Sequence, residues 1–320
     1  HREQKPQRPL MSDIKLFRTN GTDVTALEGR SVALEKSLQK LIEENLETFL
    51  GIRFLATEYS TGKKHGGRID TLGIDENGCP VIIEYKRSSN ENVINQGLFY
   101  LDWLLDHKGE FQLLVLDRYG KDAADAIEWS SPRLLCIAGD FTRYDEHAVQ
   151  QINRNIELMR YLRFGEELLL LELVNAVQAT TSAAEEPVAP VPPDAGGKAK
   201  QVYKTVSAQL EEASEELRDL YEQLESLCLS LGDDVQKKVL KWYFAYKRIR
   251  NFTTVEIRNN HNHLLVHVRV DPDSIELEEG FTRDVRQIGH LGTGDLEIVI
   301  HNADDLEKAR PLIEKSYEAS

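Results

Sequence analysis

A stretch without large side chains divides this chain of 320 residues into two parts. Residues 179–200 read ATTSAAEEPVAPVPPDAGGKAK, which is rich in alanine and proline and offers little for a hydrophobic core to bury. We interpret 179–200 as a linker, and we expect residues 11–178 and 201–320 to form separate domains, because 320 residues exceed the usual length of one domain. Residues 1–10 precede a plausible start at Met11, so we treat them as a cloning remnant or an upstream extension.

The overall composition limits the partners that the chain can bind. There are 39 Lys and Arg residues against 54 Asp and Glu residues, a formal net charge of -15, so a polyanion would have to be bound by local basic patches. The cysteines, Cys79, Cys136 and Cys228, lack CxxC spacing and predict neither a disulfide framework nor a thiolate zinc site. The longest apolar run, 168–177, is too short to span a membrane and is interrupted by Glu172. No signal-peptide pattern is present, and we expect a cytoplasmic protein without membrane association.

The apolar spacing in residues 11–178 predicts an α/β domain. Helical spacing covers 31–50, 89–107, 120–128 and 143–162, while strand patterns cover 52–60, 67–75, 80–87, 111–117, 133–139 and 167–175. This order, α-β-β-β-α-β followed by further helices and strands, predicts a mixed sheet flanked by helices.

Residues 201–320 predict an α+β domain with a mainly antiparallel sheet. A long amphipathic helix at 202–230 and a second short helix precede strands at 242–248, 253–259, 264–270 and 295–302, and a helix at 303–319 closes the chain.

Three charged residues interrupt the predicted hairpin formed by strands 67–75 and 80–87. Asp70 lies in the first strand, while Glu84 and Lys86 are two apart in the second and therefore share one face. Two converging carboxylates provide the hard oxygen ligands that Mg²⁺ and Mn²⁺ prefer, and a neighbouring ammonium suits phosphodiester hydrolysis with either one or two metal ions. The alternative interpretation is a buried salt bridge among the three residues, or strands on a solvated face.

The wider motif resembles the PD-(D/E)xK nuclease superfamily, and within it the NucS-like endonuclease domains. The matching positions are Gly67, Asp70, Glu84, Lys86 and Arg87 in "GRID" and "IIEYKR". The resemblance implies a restriction-endonuclease-like fold in which Asp70 and Glu84 bind the metal ion and Lys86 activates or orients water. The proline of the family name is absent, since Ile69 precedes Asp70, but the carboxylate chemistry does not require it.

The resemblance extends into the neighbouring helices. Gln96 and Tyr100 have the Q-x-x-x-Y spacing of RecB-type members and lie on one helical face, which implies that Gln96 supports catalysis. Tyr100 and Arg87 are then expected to steady the substrate. In many relatives an acidic residue of the leading helix also reaches the metal, and Glu35 matches that place; the alternative is an ordinary surface glutamate.

DNA is the substrate that the resemblance implies. A local cluster of basic residues could hold the flanking phosphates, although a solvated basic loop would have the same sequence: Lys63, Lys64, His65, Arg68 and Arg87. We expect a homodimeric DNA endonuclease that acts in DNA repair or in defence against foreign DNA such as phage. The alternative is a catalytically silent nucleic-acid or protein interaction factor that keeps the nuclease fold.

The C-terminal part resembles a bacterial domain of unknown function that is loosely labelled a predicted transport protein. Its aromatic and basic stretch at 241–252 could stack on single-stranded nucleic acid, but alternating core aromatics explain it better. The histidines at 261, 263 and 267 are expected to be exposed near a hairpin turn, and the glycines at 289, 292 and 294 to form a turn. We expect a specificity, regulatory or dimerisation module with a protein partner.

Overall fold

The computed structural model describes residues 14–30, 36–62, 66–86, 92–165, 167–177 and 204–320. The chain separates into two compact units with the division between residues 180 and 181, at the start of the predicted linker. Within the described segments, no helix combines the length and the apolar character that a membrane span requires.

The first unit is built around a seven-stranded mixed sheet. The described strands of this unit, seven of them in that sheet, are β1 (Leu16–Asn20), β2 (Asp23–Leu27), β3 (Gly29–Arg30), β4 (Ile52–Ser60), β5 (Arg68–Asp75), β6 (Pro80–Lys86), β7 (Arg133–Ala138), β8 (Asn155–Phe164) and β9 (Leu168–Val177). Its helices are α1 (Lys36–Glu44), α2 (Leu46–Leu50), α3 (Val93–Asp106), α4 (Lys108–Tyr119), α5 (Lys121–Asp125) and α6 (Arg143–Gln150).

The sheet has the order β3-β8-β7-β6-β5-β4, with β9 paired to β8, while β1 and β2 form a separate hairpin. Strands β6, β7 and β8 are parallel, and the other pairs in the sheet are antiparallel. The prediction of a mixed sheet flanked by helices is therefore confirmed. The parallel centre brings the carboxyl ends of β6 and β7 to the same edge of the sheet.

Helix α3 packs directly on the centre of this sheet. The Asn92 side chain caps its first turn by accepting a hydrogen bond from the Asn95 amide. Gly97 in the next turn faces β7 so closely that a Cβ at this position would lie 2.4 Å from Leu134. The absence of a side chain at Gly97 therefore permits the close helix-to-sheet contact that holds α3 beside β6 and β7.

Two predicted elements of the first unit are wrong. Residues 111–117, predicted as a strand, belong to helix α4. The buried side chains there, Phe111 and Val115, are four residues apart, so this short apolar run follows helical spacing. The predicted helix at 143–162 ends at Gln150, and its second half is strand β8, in which Ile156 and Leu158 alternate into the core.

The second unit contains a six-stranded antiparallel sheet with helices. Its strands are β10 (Gln236–Val239), β11 (Phe244–Lys247), β12 (Asn251–Arg258), β13 (His263–Val268), β14 (Thr282–Asp284) and β15 (Leu296–Ile300), in the order β10-β11-β12-β13-β15-β14. Its helices are α7 (Val206–Glu211), α8 (Glu215–Ser230) and α9 (Ala303–Glu318). The antiparallel sheet and its helices confirm the predicted α+β architecture. One large cluster of buried apolar residues forms the core of this unit.

Two predictions for the second unit need correction. The helix predicted at 202–230 is divided into α7 and α8, because Ser214 caps a new helix by accepting a hydrogen bond from the Leu217 amide. The short helix predicted before the first strand is absent from the described residues, and strand β10 lies there instead. Its Lys237 packs toward α8 at 2.6 Å from Glu225, while the neighbouring Lys238 belongs to the opposite face.

Candidate active site

The strands β5 and β6 separate at the point where their acidic residues lie. The backbone ladder between them ends at the Thr71–Ile83 pair. Beyond that pair, the Asp70 amide donates to Glu84 Oε1 at 3.1 Å, and the Tyr85 amide donates to Asp70 Oδ2 at 3.0 Å. Each carboxylate is therefore oriented by a backbone amide, and the two acids are brought together as the sequence predicted.

Glu84 is the deeper of the two carboxylates. Its side chain is 1% exposed, whereas Asp70 is half-buried. Glu84 is level with Cys136 in the parallel pairing of β6 with β7, so the two side chains share one face of the sheet. Burial, reinforced by the charge of Glu84, raises the pKa of the Cys136 thiol well above its usual range. The thiol therefore stays protonated and is unsuited to act as a nucleophile.

Lys86 lies on the same face of β6 as Glu84 and is largely enclosed. Its side chain is 10% exposed, and its Nζ lies 3.5 Å from Asp145 Oδ2. The Nζ also lies 5.9 Å from the centre of the Phe141 ring. Asp145 belongs to the first turn of α6, where it completes a capping box with Thr142.

Asp145 is not among the functional residues predicted from the sequence. A signal was available, since Thr142-x-x-Asp145 has the spacing of a helix start and follows the strand next to the one that carries Lys86. Because parallel neighbours end at the same edge of the sheet, that helix start had to lie near the lysine.

Gln96 and Tyr100 anchor the beginning of β5. Gln96 Nε2 donates to the Tyr100 hydroxyl at 3.2 Å, and the Arg68 amide donates to the same hydroxyl at 3.0 Å. Tyr100 is 5% exposed, and a Cβ at Gly67 would lie 2.5 Å from its ring. Tyr100 thus contacts the strand of Asp70 directly, and Gln96 reaches it through the Tyr100 hydroxyl. Their predicted support of metal and substrate stays a prediction.

The predicted basic cluster is described only in part. Arg68 is 62% exposed and pairs with Glu58 at 3.2 Å. The other predicted contributors lie outside the described residues, as does the acidic candidate of the leading helix: Lys63, Lys64, His65, Arg87 and Glu35.

An acidic residue of α1 contacts the hairpin. Glu43, which no sequence pattern distinguishes from other surface glutamates, accepts hydrogen bonds from three side chains: Gln39, Thr57 and Thr71. Burial raises the pKa of Tyr85 far above its usual value, and the charges of Glu43, Asp70 and Glu84 add to this effect. The carboxylate of Glu43 is therefore close enough to act electrostatically on the strand that carries Glu84.

A cavity of about 680 Å³ lies between α1, α2 and β4. Glu43 lines it together with cationic and aromatic side chains that include Lys36, Lys40, Arg53 and Tyr119. Asp70, Glu84 and Lys86 are not among its lining residues, so this cavity is separate from the carboxylate pair.

Asp70 and Glu84 suit a hard divalent cation that keeps several waters better than a metal ion bound only by protein side chains. Among the side chains that the structure describes, no group of three or more His, Cys, Asp and Glu residues is placed to hold one metal ion. Mg²⁺ usually takes only one or two protein carboxylates and completes its shell with water and substrate phosphates. Asp70 and Glu84, oriented by amides at the open end of two strands, supply that donor set.

The histidine and aromatic candidates of the second unit are mostly structural. Tyr243, Phe244, Tyr246 and Phe252 are buried, which confirms their interpretation as core residues. The expectation of exposed histidines is wrong for His267, which is 0% exposed. The pairing of β12, β13 and β15 places it between Thr254 and Glu297, and His290 stacks on its ring at 4.6 Å.

Comparison with known proteins gives a family match in the second unit. The model of a domain of unknown function, DUF5655, matches residues 206–320. This match agrees with the resemblance predicted for the C-terminal part. A protein from Haemophilus influenzae described as uncharacterized is 28% identical over 317 residues, which cover 95% of this chain and 99% of the relative. The sequence similarity therefore extends over nearly the whole length of both chains.

Among solved structures, a chain of the EndoMS-dsDNA2 complex is similar to part of this chain. The identity is 21%, the TM-score is 0.24, and the alignment covers 45% of this chain and 49% of that chain. The chain thus spans about half the length of that solved protein, and a TM-score of this size does not establish a shared fold.

Proposed function

We propose that this chain is a metal-dependent endonuclease that hydrolyses DNA phosphodiester bonds. The observation that carries the proposal is the open end of the β5–β6 hairpin, where the carboxylate of Glu84 accepts the Asp70 amide at 3.1 Å and that of Asp70 accepts the Tyr85 amide at 3.0 Å. Lys86 presents an ammonium on the same face of β6 as Glu84. A purely structural salt bridge does not require two strands to separate at their acidic residues.

Each of the three side chains has a distinct task in the proposed reaction. Asp70 and Glu84 would hold Mg²⁺ or Mn²⁺, which when bound supplies Lewis acidity toward a phosphate oxygen and lowers the pKa of a coordinated water. Lys86 donates hydrogen bonds to the attacking water or to the scissile phosphate and stabilises the charge that develops there. Tyr100 and Gln96 keep Asp70 in place through the first residues of β5.

DNA is the proposed substrate because the motif resembles DNA-cleaving relatives and because Arg68, two residues before Asp70 in β5, carries an exposed positive charge. The acidic net charge of -15 disfavours binding along long stretches of phosphate backbone. We therefore propose that the enzyme acts at a local DNA feature, in repair or in defence against foreign DNA.

The test is cleavage of end-labelled DNA in Mg²⁺ or Mn²⁺ and in a chelator. The substrates are mismatched, branched, single-stranded and modified duplexes. Wild-type protein should cleave at least one of them, whereas Asp70→Asn, Glu84→Gln and Lys86→Met should each lose about 10²-fold or more in rate.

Asp102→Asn is the matched control, because this carboxylate is 69% exposed and pairs with Arg154 at 3.5 Å, outside the proposed site. It should cleave at the wild-type rate. Cleavage that persists unchanged in all three site variants would refute the assignment. DNA binding without cleavage in either metal would instead support the catalytically silent interaction factor.

A further inference from the structure

We propose that Asp145 is a positioning residue that holds the ammonium of Lys86 in its working orientation. This inference rests on the proposed nuclease function and adds to it a residue from a different part of the chain. The contact that suggests it is the ion pair between Lys86 Nζ and Asp145 Oδ2 at 3.5 Å.

The topology of the first unit places the two residues together. Lys86 is the last residue of β6 and pairs in register with Ala138, the last residue of β7. Because the strands are parallel, the segment that leaves β7 begins beside Lys86. This segment leads directly into α6, whose first turn contains Asp145.

Hydrogen bonds with Thr142 hold the Asp145 side chain in place independently of Lys86. Its Oδ2 accepts the Thr142 amide at 2.8 Å and the Thr142 hydroxyl at 3.0 Å, while its own amide donates to Thr142 Oγ1 at 3.2 Å. These bonds form a capping box, which restricts the aspartate to one orientation. The carboxylate is therefore a rigid anchor.

Lys86 needs such an anchor because a lysine ammonium lies at the end of a flexible four-carbon stem. The ammonium has three donors, so one can face Asp145 while the others remain available for water or a phosphate oxygen. The Phe141 ring, with its centre 5.9 Å from Nζ, further limits the space in which the ammonium moves. A defined ammonium position is what a group that orients water requires.

The loop between β7 and α6 supplies a second carboxylate, Asp140, that serves as a comparison. Asp140 pairs with Arg160 of β8 at 3.4 Å, and Arg160 is also bound by Glu172 at 2.7 Å. Arg160 is thus held by two acids and belongs to a structural ion-pair network. Lys86, in contrast, lies two residues after Glu84 on β6, on the face that carries this carboxylate. Asp140 is therefore a structural acid with which the positioning role proposed for Asp145 can be compared.

The experiment compares single-turnover cleavage by full-length Asp145→Asn, Asp145→Gln and Asp145→Glu. Glutamate and glutamine can both complete a capping box at this position, so that pair of variants differs in charge alone. We expect at least a tenfold lower rate for Asp145→Asn and Asp145→Gln, with most of the rate restored in Asp145→Glu. Asp140→Asn, which removes a neighbouring ion pair, should stay within twofold of wild type.

DNA affinity, measured with Ca²⁺ in place of Mg²⁺, and the Mg²⁺ concentration for half-maximal rate should change by less than twofold in every variant. A lower cleavage rate at unchanged DNA affinity and unchanged Mg²⁺ requirement distinguishes a positioning role from general disruption of the site. If Asp145→Asn fails to fold, the glutamine and glutamate pair still gives the comparison. Equal rates for these two would overturn the inference while leaving the nuclease assignment intact. An inactive wild-type protein would overturn both.

Discussion

The guanidinium of Arg133 lies between the carboxylates of Asp75 and Glu157, donating to them at 3.2 and 2.5 Å. All three side chains are buried. Burial alone would lower the pKa of Arg133, but the two acids together raise it above its usual value. Asp75 also accepts the amides of Asn77 and Cys79 in the turn of the β5–β6 hairpin. The ion pair between Arg133 and Asp75 therefore ties the turn of the proposed catalytic hairpin to β7.

Arg133→Met should strongly destabilise the first unit. The substitution leaves two buried carboxylates without their cation, which typically costs about 3–5 kcal/mol. Chemical denaturation of the full chain, followed by fluorescence, measures the change. Arg154→Met is the matched control because its ion pair with Asp102 is exposed, and it should change stability by less than about 1 kcal/mol. Similar losses in both variants would contradict the proposed importance of the buried network.

Gly67→Ala should displace the start of β5. The new methyl group would lie 2.5 Å from the Tyr100 ring, and such overpacking costs about 1–3 kcal/mol. Because the Tyr100 hydroxyl holds the Arg68 amide, cleavage should fall as well. Gly109→Ala in α4 is the control, since nothing lies within 4 Å of its added Cβ, and it should be neutral or slightly stabilising. Unchanged stability and activity in Gly67→Ala would show that Tyr100 can move without consequence.

Glu256→Gln should make the stability of the second unit less dependent on pH. Burial, opposed by Arg258 and assisted by Glu297, raises the pKa of Glu256 to about 7. As the pH rises from about 4.5 to 7, the unfolded chain loses this proton before the folded one, so the wild type loses stability across that window, on the order of 3 kcal/mol. The neutral glutamine removes this loss.

The free energy of unfolding of the second unit is measured between pH 4.5 and 8 from the amide hydrogen exchange of β12 at increasing denaturant concentration. Glu276→Gln serves as the control because this glutamate is exposed, and its stability profile should run parallel to that of wild type. Parallel profiles for wild type and Glu256→Gln would show that Glu256 ionises without penalty.

His267 should remain neutral in the folded chain down to about pH 4. Burial, with a further contribution from His290, lowers its pKa to about 4, while Glu297 opposes this change. The unfolded histidine binds a proton near pH 6.5, so the stability that His267 contributes is complete above that pH and is lost as the pH falls toward 4. An NMR titration of the imidazole checks this directly. Glu297→Gln should lower the pKa further, and titration of His267 near pH 6.5 would contradict the prediction.

The hairpin was predictable from local sequence because its signals are local. Strands predicted at 52–60, 67–75 and 80–87 are observed at Ile52–Ser60, Arg68–Asp75 and Pro80–Lys86. Alternating or continuous apolar residues and an Asn-Gly turn determine these elements without reference to distant parts of the chain. For the same reason, the shared face of Glu84 and Lys86 followed from their spacing alone.

Other elements depended on signals that were ambiguous or were overlooked. The run FQLLVLD suits a strand or a buried helix, and only its packing selects α4. The β1–β2 hairpin has an Asn20-Gly21 turn that could have revealed it. Asp145 comes from a distant part of the sequence, so its contact with Lys86 required the parallel pairing of β6 with β7.

The pairing of Thr71 with Ile83 has a consequence that reaches beyond the strands themselves. Side chains on a strand alternate between faces, so a slip of this pairing by one residue would send Asp70 and Glu84 to opposite sides of the sheet. The four residues of the hairpin turn thus determine whether the two acids can meet at all. Chemistry at one end of the hairpin is in this sense specified by loop length at the other.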